Sequence, residues 1–264
     1  MPWEERCNPM KKKATFLTYT KPLLCAMVQE RTPDAAICTI MDSLYDGADA
    51  FGIQLENFEP EYRNEETLRK IFSHCQGKPI YITSYRGGQS KGLTDDECVE
   101  FLLMGLRAGA TLCDVMGDLY CKDPDQLTFD PEAVEKQKKL IATIHEMGGE
   151  VLISSHLSRF FTEEEILRYA KEQVARGTDV VKIVTKSAND EHMMANLQIA
   201  HRLGKELDVP YLFLSGGVGG PLLRQIGPAL GVCMYLCVDR YLPVTTKLQP
   251  KLSAVKAIRD NMFL

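Results

Sequence analysis

Long apolar segments and basic stripes are both lacking in this sequence. No apolar run approaches the roughly 18 residues of a membrane-spanning helix, so we predict no membrane span. The first residues, MPWEERCNPMKKK, lack the apolar core of a signal peptide. The 264-residue chain carries a net charge of −5 without a basic stripe, which argues against nucleic acid as a partner.

Metal-binding and disulfide motifs are missing as well. None of the nine cysteines forms a C-x-x-C pair, and several lie inside apolar runs. This usage is typical of free, buried thiols in an intracellular protein rather than of a disulfide framework. No H-x-H or H-E-x-x-H spacing occurs among the five histidines, so we predict neither a metal site nor another cofactor. The expected location is cytoplasmic.

What the sequence does contain is a regular alternation of strand-like and helix-like segments. Eight short runs are mostly continuously apolar, as parallel strands covered on both faces should be. They lie at residues 22–28, 49–55, 79–85, 111–116, 150–155, 179–185, 210–215 and 232–238.

The segments between these runs show helical signals. TDDECVEFLLMGLRAGA begins with a threonine cap and an acidic first turn and ends at Gly109, and TEEEILRYAKEQVARG repeats this layout. Eight strand–helix alternations in a chain of this length predict a single (β/α)8 TIM barrel. An open doubly wound sheet is the weaker alternative, because eight repeats in one domain favour closure. We assign residues 1–20 to an N-terminal leader and residues 21–264 to the barrel catalytic domain.

Lys182 lies in the middle of the sixth run, DVVKIVT, among valines and an isoleucine. A buried ammonium is costly, so a lysine at this position needs a reason. One interpretation is a structural ion pair with an acid inside the barrel. The other is a catalytic amine, because an apolar shell disfavours the charged form and a neutral amine can form a Schiff base with a ketone or aldehyde. We favour the catalytic amine.

Two further residues follow neighbouring runs, at the strand ends where TIM-barrel enzymes place their catalytic groups. His156 ends the fifth run, beside Lys182, and could move protons during imine chemistry near neutral pH. Arg224 follows the glycine-rich SGGVGG stretch and could bind an anionic group in bidentate fashion, although a surface arginine is the alternative. The glycines could also cradle a phosphate, but glycine turns are common.

These motifs resemble those of type I 3-dehydroquinate dehydratase, a Schiff-base (β/α)8 barrel of the shikimate pathway, over roughly residues 20–262. DVVKIVT matches the family's lysine strand, which implies that Lys182 is the Schiff-base nucleophile. ISSH matches the family's histidine at the end of strand five, which implies that His156 is the general acid/base. The implied reaction converts 3-dehydroquinate to 3-dehydroshikimate and water, through an iminium that acidifies the neighbouring C–H.

The resemblance also implies a set of substrate-binding residues. SGGVGGPLLR matches the stretch whose arginine binds the substrate carboxylate, here Arg224. TTKLQ matches the last loop, whose hydroxyl residue and glutamine contact substrate, here Thr245 and Gln249. ITSYR matches the end of strand three, where an arginine binds substrate, here Arg86.

The sequence departs from the family at several acids. The family's E-x-R at the end of strand two falls on Gly52 and Gln54, and Glu56 is out of register. The pair of acids in strand four reads DVM, so that Asp114 is kept and Met116 replaces the second acid. We retain Gln54 and Asp114 as predicted substrate-binding residues.

The groups around the histidine differ too. The family's acid that supports the histidine falls on Gln89 or Ser90, and Leu157 replaces the aspartate that usually follows the histidine. These changes predict that the covalent machinery and the carboxylate clamp are kept. Recognition of substrate hydroxyls should be weakened, since a lost buried polar contact can change discrimination by orders of magnitude.

Three functions fit this pattern. The first is a Schiff-base carbon–oxygen lyase that dehydrates 3-dehydroquinate. The second is a divergent Schiff-base lyase or aldolase acting on another carboxylated keto substrate. The third is a non-catalytic sensor of a related metabolite, against which the retention of both Lys182 and His156 argues. The expected partner is therefore a small carboxylated keto compound, and because barrels of this kind are often dimers, we also expect a homodimer.

Overall fold

Eight parallel strands alternate with eight helices in the described part of the chain, which is residues 14–243 and 247–263 of a computed structural model. The strands are β1 (Leu23–Val28), β2 (Ala50–Gln54), β3 (Ile80–Thr83), β4 (Leu112–Met116), β5 (Glu150–His156), β6 (Val180–Ser187), β7 (Tyr211–Gly217) and β8 (Met234–Cys237). The helices are α1 (Pro33–Tyr45), α2 (Glu65–Ser73), α3 (Asp95–Ala108), α4 (Pro131–Glu146), α5 (Glu163–Ala175), α6 (Asp190–Glu206), α7 (Gly220–Ile226) and α8 (Leu252–Met262).

The sheet curls into a barrel because its last strand returns to its first. Neighbouring strands follow the order β7-β6-β5-β4-β3-β2-β1-β8, and Leu23 of β1 lies opposite Met234 of β8. At the seam between β7 and β8, the Cys233 N–H donates to the Tyr211 carbonyl at 2.9 Å. The predicted (β/α)8 TIM barrel is confirmed. Every predicted strand is present, with ends displaced by at most two residues.

Local capping explains where two of the longer helices begin and end. Thr94 and Thr162 each form a capping box at the start of α3 and α5, with glutamates three residues further on. Gly109 ends α3 with a φ of 117°, a left-handed conformation that favours glycine. These are the threonine caps, and one of the stop signals, that the sequence predicts.

Alternate side chains of each strand point into the barrel, so a polar layer lies above an apolar one. Two residues before Lys182 and Asp114 along their strands come Val180 and Leu112, both fully buried. Further buried side chains fill the same lower layer: Cys25, Ala50, Leu152 and Met234. The barrel is therefore a packed core below, and a cavity opens at the C-terminal ends of its strands.

The segment before β1 covers the lower end of this core. Phe16 is fully buried, and its ring contacts Tyr81 edge-on with centroids 6.5 Å apart. The Phe16 N–H donates to Glu150 Oε2 at 2.9 Å, and the Thr15 hydroxyl donates to the other oxygen. The division of the chain at residue 20 stays a prediction. Within residues 14–243 and 247–263, no helix combines the length and apolarity needed to traverse a bilayer.

Candidate active site

A cavity of about 180 Å³ lies where strands β1 to β8 end. It brings together five of the predicted site residues: Gln54, His156, Lys182, Arg224 and Gln249. A larger concavity of about 480 Å³ lies near the start of β1, but its Arg259 is already paired with Asp49 and no predicted site residue lines it. The smaller cavity is therefore the candidate active site.

Lys182 is the most densely bonded residue in this cavity. Its Nζ donates to Asp114 Oδ2 at 3.0 Å, to Tyr81 Oη at 2.9 Å and to Tyr85 Oη at 2.7 Å. Tyr85 in turn donates to Asp114 at 2.6 Å, Ser154 donates to it at 2.5 Å, and Tyr81 donates to it as well. We call Lys182, Asp114, Tyr81, Tyr85 and Ser154 the lysine side of the cavity.

The expectation that Lys182 has an apolar shell is wrong. Val181 and Ile183 are its neighbours in sequence, but alternate residues of a strand point to opposite faces. The side chain of Lys182 therefore meets an acid and two phenols inside the barrel. Lys182 both pairs with Asp114 and lines the cavity. Its surroundings therefore fit a structural ion pair and a catalytic amine at the same time.

The pKa of Asp114 reflects this arrangement. Burial acts to raise the pKa of the carboxyl group, but the neighbouring Lys182 cation and hydrogen bonds from Ser154, Tyr81 and Tyr85 outweigh burial and hold it below its usual value. Asp114 is predicted to bind substrate, yet it is 2% exposed. Its carboxyl oxygens already accept hydrogen bonds from Lys182, Ser154 and the two tyrosines. We expect it to act on a substrate through Lys182.

The backbone of Lys182 is held from outside the barrel. The buried Gln173 of α5 accepts from the Lys182 N–H at 3.1 Å and donates to its carbonyl at 3.2 Å. The same amide donates to Ser155 at 3.1 Å. This contact fixes the strand that carries the amine and ties it to β5, which carries the histidine.

His156 lies on the cavity next to Tyr85, with ring centroids 5.5 Å apart and the rings edge to face. Its Nδ1 lies 2.8 Å from Gln126 Oε1. Burial, together with the nearby Lys182 cation, lowers the pKa of His156 to about 3. The imidazole is therefore neutral at physiological pH, and one of its two ring nitrogens carries a free electron pair.

Arg224 is a buried cation without an acidic partner. It is 9% exposed, and its Nε donates to the Ser215 carbonyl at 3.3 Å. No acid within the described ranges forms a salt bridge with it. Burial lowers the pKa of the guanidinium to about 10, which keeps it charged at neutral pH. A buried charge of this kind calls for an anionic ligand.

The SGGVGG stretch serves the turn that carries Arg224. Gly217 has a φ of 82°, and a Cβ there would lie 2.1 Å from the Ser187 carbonyl oxygen. The glycine is thus required by a close approach of two backbones.

The opposite wall, at the ends of β1 and β2, is lined by the neutral amides of Gln29 and Gln54. Gln29 Nε2 donates to Gln54 Oε1 at 2.7 Å, and Asn57 Nδ2 donates to the same oxygen at 3.1 Å. The Nε2 group of Gln54 forms no hydrogen bond with the described residues and can donate to a ligand. Two buried oxygens, Gln29 Oε1 and Gln249 Oε1, likewise form no hydrogen bond with the described residues. We call Gln29, Gln54 and Asn57 the amide side.

An acidic side chain at Gly52 would clash with its present neighbours. A Cβ at this position would lie 2.3 Å from Met27 Sδ and 3.1 Å from the Tyr81 ring. Met27 and the lysine-side phenol therefore occupy the space that a glutamate would need. Glu56 does not replace that acid in kind, because it is 4% exposed and its carboxyl oxygens accept from Thr83 at 2.8 and 3.0 Å.

Arg86 faces a depression beside the cavity, shared with Tyr85 and His156. Its guanidinium pairs with Asp95 at 2.5 Å and with Asp118 at 2.9 Å. The predicted contact of Arg86 with substrate would require it to leave these acids. Thr245, the hydroxyl residue predicted in the last loop, lies outside the described residues.

Sequence reasoning missed Tyr81, Tyr85, Gln29 and Gln126. The two phenols stand in the predicted third strand, PIYITSY, and Tyr81 shares its inward face with Thr83 by the two-residue period of a strand. That period was the available signal for Tyr81. Among the described residues, no group of three or more histidine, cysteine, aspartate or glutamate side chains could hold a metal ion.

Comparisons with known proteins agree with this geometry. The model of the family described as Type I 3-dehydroquinase matches residues 24–240. A 3-dehydroquinate dehydratase from Shouchella clausii is 23% identical over 234 residues, covering 86% of this chain and 87% of the relative. The 3-dehydroquinate dehydratase structure from Geobacillus kaustophilus has a TM-score of 0.79 at 17% identity and covers 93% of each chain. The type I enzyme from Clostridium difficile, solved with covalent modified comenic acid, has a TM-score of 0.80 at 18% identity and covers 96% of this chain and 99% of its own.

Proposed function

This chain belongs to the Type I 3-dehydroquinase family and is a hydro-lyase of that kind, and we propose that it dehydrates 3-dehydroquinate to 3-dehydroshikimate through an imine on Lys182. The observation that carries the proposal is the pairing of Lys182 and Arg224 in one cavity. One supplies an amine for a ketone, and the other is a buried cation that forms no salt bridge with an acid in residues 14–243 and 247–263. A small ketone with a carboxylate satisfies both.

The first half of the reaction builds the imine. Lys182 gives up a proton, for which Asp114 at 3.0 Å is the contacting acceptor, and its free amine attacks the substrate ketone. The resulting carbinolamine loses its oxygen as water. Tyr85, whose hydroxyl contacts Nζ at 2.7 Å and which lines the cavity, can donate the proton for this step, and it recovers a proton from Asp114, to which it is hydrogen-bonded at 2.6 Å.

The second half eliminates water from the substrate. His156 takes a proton from the carbon beside the iminium, and the cationic nitrogen accepts the electron pair as an enamine forms. The enamine then expels the hydroxyl of the next carbon, which leaves as water with the proton from His156. Hydrolysis of the product imine restores the Lys182 amine, so the net change is the loss of one water.

A divergent lyase or aldolase acting on another carboxylated keto substrate is the second candidate, and the amide side favours it. Where the family's E-x-R is usual, this cavity has Gly52 and Gln54, so substrate hydroxyls meet neutral amides. On the scale of one lost hydrogen bond or more, we expect dehydroquinate turnover at least about tenfold below that of a typical family member. The cytoplasmic location and the homodimer stay predictions.

Borohydride trapping and a turnover assay test the proposal together. With 3-dehydroquinate present, reduction should add the ligand's mass to the peptide containing Lys182, and enone absorbance should report dehydration. An adduct on Lys186 or Lys91 would contradict the assignment of the nucleophile. Trapping of other keto acids without dehydroquinate turnover would favour the second candidate. A kcat/KM near 10⁴ M⁻¹s⁻¹ or above, the ordinary enzyme range, would show that the amide side serves dehydroquinate well.

A further inference from the structure

His156 is supported by a loop that the family motifs do not point to. Gln126 lies in the β4–α4 loop, residues 117–130, thirty residues before the histidine in sequence. Its Oε1 lies 2.8 Å from His156 Nδ1 and accepts from the His156 backbone N–H at 3.3 Å. Gln89 and Ser90, where the family's supporting acid would fall, form no hydrogen bond with His156 among the described contacts.

This double contact fixes which way both groups face. A backbone N–H can only donate, so the atom of Gln126 that receives it is the amide oxygen. The same oxygen can only accept, so the neighbouring Nδ1 of His156 must carry its proton. Nε2 is then the ring nitrogen with a free electron pair. The amide thus selects the tautomer that can act as a base through Nε2.

The loop holds Gln126 in a conformation that is costly for a side chain. Its φ is 51°, in the left-handed region, and its N–H donates to the Asp123 carbonyl at 3.0 Å. A Cβ at Gly117 would lie 2.5 Å from the Gln126 carbonyl oxygen, so the loop passes close to β4 there. Asp125 Oδ1 accepts from Ser158 Oγ at 2.6 Å and from its N–H at 3.1 Å, which joins the loop to the chain just after the histidine.

A buried arginine anchors the other end of the same loop. Arg176 is 3% exposed, and it donates to the Thr128 carbonyl at 2.5 Å and to the Gly117 carbonyl at 3.0 Å. Arg86 pairs with Asp118 in this loop at 2.9 Å. The loop is therefore tied to α5 and to the end of β3, and its support of His156 is built into the fold.

We infer that Gln126 is a positioning residue that holds His156 as the Nδ1–H tautomer with Nε2 toward the substrate. This inference rests on the proposed function and deepens it, because it makes His156 a base supported by a neutral amide. An amide does not stabilise an imidazolium as a carboxylate would. The charged or titratable groups that influence His156 are Lys182, Lys186, Arg224, Asp114 and Tyr85.

Nitrogen chemical shifts of the histidine ring, measured by NMR across pH, test this without requiring turnover. The His156→Ala variant identifies the His156 signals. In the unchanged protein we expect Nδ1 protonated and Nε2 bare above pH 5. In Gln126→Glu we expect the pKa of His156 to rise by about one pH unit or more, a tenfold change in its protonation. In Gln126→Asn, a residue that tolerates a left-handed backbone but is one methylene shorter, we expect mixed tautomers.

Gln76→Glu is a matched control, because Gln76 is exposed and has a similar φ of 54°. It should leave the His156 signals unchanged. With 3-dehydroquinate, Gln126→Asn should lower kcat about 10- to 100-fold with little change in KM. Unchanged tautomer and pKa in both Gln126 variants would overturn the inference, whether or not dehydroquinate is turned over. Absent turnover with the expected NMR changes would instead count against the proposed substrate alone.

Discussion

Asp114 and Glu56 are both buried carboxyl groups of one barrel, yet their pKa values shift in opposite directions. Burial raises the pKa of Glu56 to about 7, because a threonine hydroxyl and backbone N–H groups only partly offset it. The pKa of Asp114 falls despite burial, because Lys182 and three hydroxyl groups surround it. Charged groups therefore lie on the lysine side and at Arg224, while the β2 end of the cavity is neutral below pH 7.

This difference separates the two tasks of the site. The lysine side is prepared for covalent chemistry, and its polar atoms are bonded to one another before a substrate arrives. On the amide side, Gln29 Oε1 and Gln54 Nε2 form no hydrogen bond with the described residues, so they can bind hydroxyls but cannot pair with a charge. We therefore expect Arg224 and Lys182 to anchor a substrate by charge, and the amide side to recognise its hydroxyls by neutral hydrogen bonds.

The largest expected effect comes from removing the amine. Lys182→Met should lower dehydroquinate turnover on the order of 10⁴-fold or more, because no imine can form. Enone absorbance and borohydride trapping both report this loss. Lys186→Met is the matched control, since Lys186 lies in the same strand but is exposed, and it should remain within about twofold of the unchanged enzyme. Persistent turnover in Lys182→Met would mean that the lysine side is structural only.

Replacing each carboxyl by its amide tests the comparison directly. Asp114→Asn leaves the buried Lys182 without its counter-ion and should destabilise the protein by about 3–5 kcal/mol at neutral pH. Glu56→Gln is a similar change at a similarly buried site, and at pH 5, where Glu56 is already protonated, it should cost less than about 1 kcal/mol. Urea unfolding of both variants measures these free energies. Equal losses of unfolding free energy in the two variants at pH 5 would show that Asp114 and Glu56 have the same charge state, against the comparison.

The sequence is sufficient for the barrel and for the outline of this site. Eight apolar runs predict eight strands because burial on both faces demands continuous apolar residues. Strand ends gather at one rim, so Lys182, His156 and Arg224 could be placed together from position and motif. The amide side was predicted only in part: Gly52 and Gln54 indicated lost charges, but the amides that bond Gln54 and the packing of Met27 and Tyr81 against Gly52 were not predicted. A packing contact of that kind has no signature in a single chain.

The support of His156 was also beyond sequence reasoning. Gln126 contacts it only because a left-handed residue and a buried arginine bend the β4–α4 loop back over β5. The expectation for Asp114 came closer: its strand was predicted correctly, but its contact was assigned to substrate. The register pairs Asp114 with Leu152 and Ser154 with Lys182, so the side chains of Ser154 and Lys182 reach Asp114 from the next inward layer, and register is set by closure of the whole barrel.

The pH dependence of stability sharpens the comparison at Glu56. Its pKa is about 7 in the folded protein and 4.5 when unperturbed, so between these values the folded state binds the extra proton. Its contribution to stability is complete below pH 4.5 and is lost as pH rises through 7, by about 3 kcal/mol in total. Glu56→Gln should remove this slope. Urea unfolding at pH 5 and pH 7.5 gives the difference between variant and unchanged protein, and a difference that is constant with pH would contradict the raised pKa.

Arg224 provides a third case, a cation like Lys182 but without an acid like Asp114. Arg224→Met should raise KM for 3-dehydroquinate by about 10- to 100-fold, the worth of a charged hydrogen bond. The rate at which borohydride traps an uncharged ketone on Lys182 should change less than about twofold, because such a ketone has no carboxylate for Arg224 to bind.

The stability of Arg224→Met should stay the same or increase, since the change removes a buried cation whose described polar contact is one carbonyl. Equal losses for both ligands would mean that Arg224 shapes the cavity rather than selecting an anion, and a destabilisation like that of Asp114→Asn would mean that its charge is paired after all.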